Sequence, residues 1–328
     1  MTPTMIALLI LGLGFDFLNG INDSSNIVAT TISSRALSPR WTLTIVAIAE
    51  FAGPFIFGVH VARTIGSGIV TPGAVNMTTL IAALLSAIFW GIFTSLLGIP
   101  SSGSHAVIGG LIGAVVTSSG WAMINTSGII KVLIILFVSP VIGLVFGFIV
   151  TWAIMLISWN RTPNVNQFFK KSQIATSIAL ALSYGANDGQ KTMGIITLGL
   201  FTSGFISKFA VPIWVILLCA SMIAAGTSVG GWKLIKTLGA RFYRIRPMDG
   251  FAAQLSSAIV ILSASFFGGL VSTTQVVSAS ILGVGSAERV NKVRWGVVKN
   301  IAIAWLTTIP STALLGGGIY WLISHVVS

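Results

Sequence analysis

The sequence predicts an all-α polytopic membrane protein built from two inverted repeats, each with a broken helix, a spanning helix and a helical hairpin. Three observations carry this. Of the 328 residues, 55% are hydrophobic and 7% charged, with a mean hydropathy of +0.98, and apolar runs long enough to cross a hydrocarbon core of about 30 Å recur from Met5 to Val327. A Gly-x-Asn-Asp core occurs twice, at Gly20-Ile21-Asn22-Asp23 and Gly185-Ala186-Asn187-Asp188. Two hydroxyl-rich links, Ser101 to Ser104 and Ser272 to Thr274, each open an apolar helix, and Ser102 stands as far before Gly113 as Ser272 does before Gly283.

Residues 4–34 read as one broken helix. They are apolar except at the first motif, where glycine and polar residues let a helix unwind into a protein-lined cavity. This stretch lacks a basic n-region and a small-residue cleavage site, so it reads as a retained helix and not a signal peptide. Residues 41–62 are long enough to span, and 63–76 read as a loop. Residues 77–97 and 106–117 form a hairpin around Pro100 to His105, and 131–157 span again. The second half repeats the order: a broken helix over 173–202, a span over 209–229, a hairpin from 250–269 and 276–285, and a closing span over 300–327. The expected organisation is repeat 1 over 1–130, a connecting span and basic loop over 131–172, inverted repeat 2 over 173–287, and a closing span over 288–328.

The net charge of +12 would suggest nucleic acid in a soluble protein. Here the basic residues sit between apolar spans, so no nucleic-acid partner is expected and the charge sets orientation. If the loops with Arg35 and Arg40; Arg161, Lys170 and Lys171; Lys233, Lys236, Arg241, Arg244 and Arg246; and Arg289, Lys292, Arg294 and Lys299 are cytoplasmic, the repeats are inverted and both termini lie outside a plasma membrane. The single cysteine, Cys219, permits no intrachain disulfide.

A carboxylate at the bilayer centre costs roughly 2.5 to 3.5 kcal/mol on insertion scales, so it persists where it meets a cation, a partner or water. Asp23 and Asp188 are candidate sites for coupling cations such as Na⁺, or acceptors of a substrate proton, against the plainer reading of carboxylates satisfied by helix N-termini or a lysine. Asn22 and Asn187 can offer a carbonyl to a cation and an amide donor to an anion. Lys191 either pairs with Asp188 or binds an anion directly. Ser102, Gly103, Ser104 and His105 in one link, and Ser272, Thr273 and Thr274 in the other, combine hydroxyls with free N–H groups at a helix start. Such a start binds oxyanions, where a lone copy would read as ordinary capping. Ser102 and Ser104 beside His105 also raise an intramembrane hydrolase, but the second copy has Gln275 where a base would be needed. His105 is a candidate proton relay or a hydrogen-bonding residue. Asp16, seven residues before Asp23, and Glu50 are further candidates for the same cavity, and no cofactor is expected.

Four segments in this order resemble the inorganic phosphate transporter (PiT) family, in its short bacterial and archaeal members: Gly-Ile-Asn-Asp-Ser-Ser-Asn (20–26), Gly-Ile-Pro-Ser-Ser-Gly-Ser-His (98–105), Tyr-Gly-Ala-Asn-Asp-Gly-Gln-Lys (184–191) and Val-Ser-Thr-Thr-Gln (271–275). Gly-Gly-Trp-Lys at 230–233 and Gly-Gly-Gly-Ile-Tyr-Trp at 316–321 extend the likeness over nearly the whole chain. The resemblance implies a homodimeric secondary symporter in membrane lipid that moves inorganic phosphate with Na⁺ or H⁺, in some bacterial members as a metal phosphate. The sequence departs from the family pattern at Leu270 (usually proline), Gln275 (usually histidine), Gly103 (commonly a hydroxyl residue) and Gln254 (a transport glutamate in some members). The alternative cargo is another oxyanion such as sulfate. Sulfate has no proton to give a carboxylate at neutral pH and would be repelled by two aspartates. Moving a phosphate dianion into an inside-negative cell costs roughly 4.6 kcal/mol per 100 mV, which requires co-transported cations.

Overall fold

The computed structural model describes residues 2–70, 75–158, 165–235 and 245–326. Arg161, Lys236, Arg241 and Arg244 of the basic loops lie outside the described residues. Twelve α-helices follow one another among the described residues: α1 (Pro3–Ser33), α2 (Pro39–Phe57), α3 (His60–Gly68), α4 (Met77–Leu97), α5 (Gly103–Ser119), α6 (Thr126–Ser158), α7 (Val165–Gly185), α8 (Gly189–Thr202), α9 (Ile213–Val229), α10 (Pro247–Phe266), α11 (Thr273–Glu288) and α12 (Trp295–Val326). Six are long and apolar enough to cross a membrane: α1, α2, α4, α6, α10 and α12. This is the all-helical polytopic class that the hydropathy predicts.

Local chemistry sets the ends. Asn76 and Thr79 form a reciprocal capping box that starts α4, and Gly98, at φ 69°, ends it in the left-handed conformation that glycine adopts without a Cβ clash. Pro39 stands in the first turn of α2, where its missing N–H costs nothing. Gly58, at φ 76°, turns the chain between α2 and α3, so the expected span 41–62 ends early and part of the expected loop 63–76 is helix.

The two motifs differ in structure. The second breaks its helix as expected: α7 ends at Gly185, and the Tyr184 carbonyl accepts from the N–H groups of both Asn187, at 3.0 Å, and Asp188, at 2.7 Å. The first does not break, because α1 runs uninterrupted through residues 20–26. There Ser24 and Ser25 turn their hydroxyls back onto the carbonyls of Ile21, at 2.6 Å, and Asn22, at 2.5 Å. The second motif has Gly189 and Gln190 at those places, and glycine costs about 1 kcal/mol of helix stability relative to alanine.

The motif glycines serve helix crossing instead. A Cβ on Gly20 would run into the Ile223 carbonyl of α9, and one on Gly185 into the Glu50 carbonyl of α2. Gly226 and Gly53 face back across the same two crossings, against Phe17 and Leu182. Packing is correspondingly two-fold: α1 lies on α9 as α7 lies on α2, and α5 lies on α12 as α11 lies on α6. Two apolar clusters flank the middle. Met5, Leu8 and Phe15 of α1 and Met193, Ile195 and Ile196 of α8 belong to one; Ile27, Val28 and Ala29 of α1 and Leu180, Ala181 and Tyr184 of α7 belong to the other. The motifs lie in the band between them.

Candidate functional site

That band is polar and closed. Asp16, Asp23, Glu50 and Asp188 are all buried within it, and Lys191 is the one buried lysine or arginine among the described residues. Four carboxylates against one ammonium leave an excess of negative charge. Taking a carboxylate-sized ion out of water costs several kcal/mol even after relaxation, so the excess demands cations or protons.

The helix break delivers Asp188 to the tip of the second hairpin, α10–α11. One carboxylate oxygen is ion-paired with Lys191, one helical turn on, and the other accepts a 2.6 Å hydrogen bond from Thr273, the first residue of α11. The pairing of Lys191 with Asp188 that the sequence allows is formed. Asn187 turns the other way and donates to Ser265 at 2.8 Å and to the Gly269 carbonyl at 3.2 Å, which ties the motif to the hairpin link.

Asp23 stands differently. Its Oδ2 is buried without a hydrogen-bond partner among the described residues, beside a cavity of about 20 Å³ whose polar wall is Asn19, Asn22, Asp23 and Ser101 and whose remaining wall is mostly apolar, from Phe15, Leu18, Ala87 and Ile88. That is room for about one water or one bare cation. A Cβ on Gly103 would strike the Asn19 amide oxygen, so the glycine admits Asn19 to the cavity wall.

The hairpin tips meet. Ser104 donates to the Val271 carbonyl at 2.7 Å, and His105 Nε2 lies 3.5 Å from Gln275 Nε2. Ser102 caps α5 by accepting from the His105 N–H at 3.2 Å, and its hydroxyl also lies 2.7 Å from His105 Nδ1. Ser272 starts α11 with its hydroxyl unpartnered among the described residues, and Asn26 bonds Thr274 at 3.1 Å. The N-terminal N–H groups of α5 and α11 have no partner within their own helices and converge on this junction.

Three candidates lie off the junction. Thr192 holds Asp16 at 2.5 Å, Thr227 holds Glu50, and Gln254 sits further along α1, bonded to Thr30 at 2.9 Å, Thr31 at 2.7 Å and Thr176 at 2.7 Å. Sequence reasoning passed over Asn19, Asn26 and Gln190. Asn19 lies one turn before Asp23, and the other two stand inside the quoted motifs. Gln190 accepts from the Val61 and Ala62 N–H groups at 2.8 and 3.2 Å and donates to the Gly58 carbonyl at 2.6 Å, satisfying the start of α3.

Buried carboxylates facing two helix N-termini inside a bundle of spanning helices define a membrane transporter, not an enzyme. Residues 19–316 match the model of the phosphate transporter family. The chain is 41% identical to a protein of Rhizobium meliloti named "Probable low-affinity inorganic phosphate transporter", over 97% of this chain and 96% of that one. It is equally similar, at 41%, to a protein of the same name from Bacillus subtilis, over 98% and 97%. A solved structure named "The sodium-dependent phosphate transporter" superposes with a TM-score of 0.90 at 26% identity, covering 99% of this chain and all of that one. The chain belongs to the phosphate transporter family, as a multi-pass membrane protein.

Proposed function

We propose that the protein imports inorganic phosphate across the plasma membrane by symport with Na⁺ or H⁺, through alternating access. In this reading, phosphate is held between the hairpin tips by Ser102, Gly103, Ser104, His105, Ser272, Thr273, Thr274 and the N-terminal N–H groups of α5 and α11. Asp23 and Asp188, with Asn22 and Asn187, form the cation half of the site. The observation that carries it is the 2.6 Å bond from Thr273 to Asp188, which joins the anion-binding tip directly to a buried carboxylate. The carboxylate half of the site and the anion-binding tip are thereby in direct contact. The sodium dependence named for the solved relative favours Na⁺ as the driving ion.

Repeats over 1–130 and 173–287, with the spans of 131–172 and 288–328 exchanged between them, account for α5 packing on α12 and α11 on α6. Inversion of the two, with both termini outside, follows from the basic loops. The outward faces of α6 and α12, with Phe137, Ile149, Trp152, Leu306, Leu314 and Trp321 exposed, suit lipid or the second copy of a homodimer. Uptake of labelled phosphate and of labelled sulfate into proteoliposomes, with Na⁺ and pH gradients imposed separately, tests the function. Phosphate accumulation driven by one gradient is expected. Accumulation indifferent to both gradients would refute symport, and preferred sulfate would refute the cargo.

A further inference from the structure

The two motifs align residue by residue, Asn22 with Asn187 and Asp23 with Asp188. The same register pairs Asn19 with Tyr184 and Asn26 with Lys191, and the hairpins pair Gly103 with Thr273. Around Asp23 these three positions hold a small amide, a second amide and no side chain. Asn19 and Gly103 line a small cavity beside Asp23, Asn26 turns its amide to Thr274, and Asp23 Oδ2 has no hydrogen-bond partner among the described residues. Around Asp188 they hold a phenol, an ammonium and a hydroxyl, and both carboxylate oxygens are taken, one by Lys191 and one by Thr273. Lys191 is 2% exposed and Asp188 fully buried. An ammonium shut against a carboxylate in this way occupies the ground a free cation would take.

We infer that Lys191 is a resident cation: its ammonium fills the cation position of the second motif, so that only the Asp23 position exchanges a cation during transport. The inference rests on the symport reading above and divides the labour within it. A tethered charge neutralises Asp188 at every stage but never crosses with the cargo. The protein therefore couples one cation fewer than its two acidic motifs would suggest. Lys191 is a specificity-determining residue for stoichiometry and not a phosphate ligand.

The decisive variant is Lys191→Asn, which copies the residue of the first motif. Purified protein in proteoliposomes is loaded with labelled phosphate, and the cation gradient at which net flux reverses gives the number of cations moved per phosphate, for Na⁺ and H⁺ separately. The expected result is one more cation per phosphate in Lys191→Asn than in the unaltered protein. Its accumulation also gains a dependence on membrane potential of up to roughly 50-fold per 100 mV, the value of one extra charge. An unchanged ratio in an active Lys191→Asn protein would overturn the inference. Lys191→Met, which also removes the charge and cannot ligate as an amide does, should transport without the added cation; a ratio raised equally in both variants would overturn the Asn26 analogy. An independent arm leaves Lys191 in place: in Asp23→Asn protein, labelled-phosphate exchange should show no cation dependence, and cation-driven accumulation surviving there would prove Asp188 an exchangeable site. Absence of any gradient dependence in the unaltered protein is a different outcome, which refutes symport itself.

Discussion

Ser104 of the first hairpin and Val271 of the second are joined by a hydrogen bond of 2.7 Å, hydroxyl to carbonyl. With His105 and Gln275 beside it, this contact ties the two hairpin tips together. In the alternating-access reading proposed above, this contact must break before cargo enters between the tips. Ser104→Ala removes a neutral hydrogen bond worth about 0.5 to 1.5 kcal/mol, enough to shift a closed-to-open equilibrium by roughly 2- to 12-fold. A cysteine at Ser101 in a Cys219→Ala background should then be labelled by a small aqueous thiol reagent faster by that factor. Equal labelling rates would mean that the contact does not hold the tips closed.

The proposed anion clamp is tested at the starts of its two helices. Ser102→Ala and Thr273→Ala each remove a hydroxyl from the start of a helix aimed at the junction, and hydrogen bonds to charged groups are worth about 1.5 to 3 kcal/mol. Phosphate affinity of the purified protein should fall by roughly 10-fold or more in each, with the fold intact by thermal melting in detergent. Unchanged affinity in both would leave Ser102 as a helix cap and Thr273 as a partner of Asp188 alone.

Asp23→Asn keeps size and hydrogen bonding but removes the charge beside the cation-sized cavity. Concentrative phosphate uptake should collapse, and the cation dependence of residual phosphate binding should flatten, because linkage is reciprocal. Wild-type accumulation in monodisperse Asp23→Asn protein would remove Asp23 from the coupling machinery.

The crossing glycines give an effect on stability rather than transport. A methyl group at Gly20 meets the Ile223 carbonyl, and one at Gly185 meets that of Glu50, both backbone atoms that cannot swing aside. Overpacking of this kind costs typically 1 to 3 kcal/mol. Gly20→Ala and Gly185→Ala should each lower the melting temperature in detergent and the monodisperse yield, whereas Gly14→Ala, with open space around it, should not.

Orientation can be read without coordinates. Cysteines placed at Arg40 and Arg244 should be labelled only from the cytoplasm, and one near Gly73 only from outside; Arg244 and Gly73 lie outside the described residues. Labelling of the first two from opposite faces would refute inverted repeats.

Composition and motif order made the class of fold readable before any coordinates, and α4 falls where the apolar run 77–97 put it. The first motif was misread because glycine beside polar residues looks the same whether it frees a helix to unwind or lets two helices touch. What decides is tertiary: α9 crossing at Gly20, and the hydroxyls of Ser24 and Ser25 folding back onto α1. Asn19 and Gln190 escaped notice for a related reason. Their roles depend on neighbours distant in sequence, the hairpin tip at Gly103 and the start of α3.

The exchanged packing of the last helices has a consequence in time. When α11 leaves the ribosome its partner α6 has long been made, but α5 must wait for α12, the final helix. Until then the face of α5 that bears Gly109 and Gly113, shaped to lie against the backbone of Ile309 and Ala313, has nothing to rest on. The first hairpin is thus left without its partner helix until the last helix, Trp295–Val326, has been made. The nascent chain should be most vulnerable to membrane proteases in the interval between insertion of the first hairpin and arrival of the closing helix.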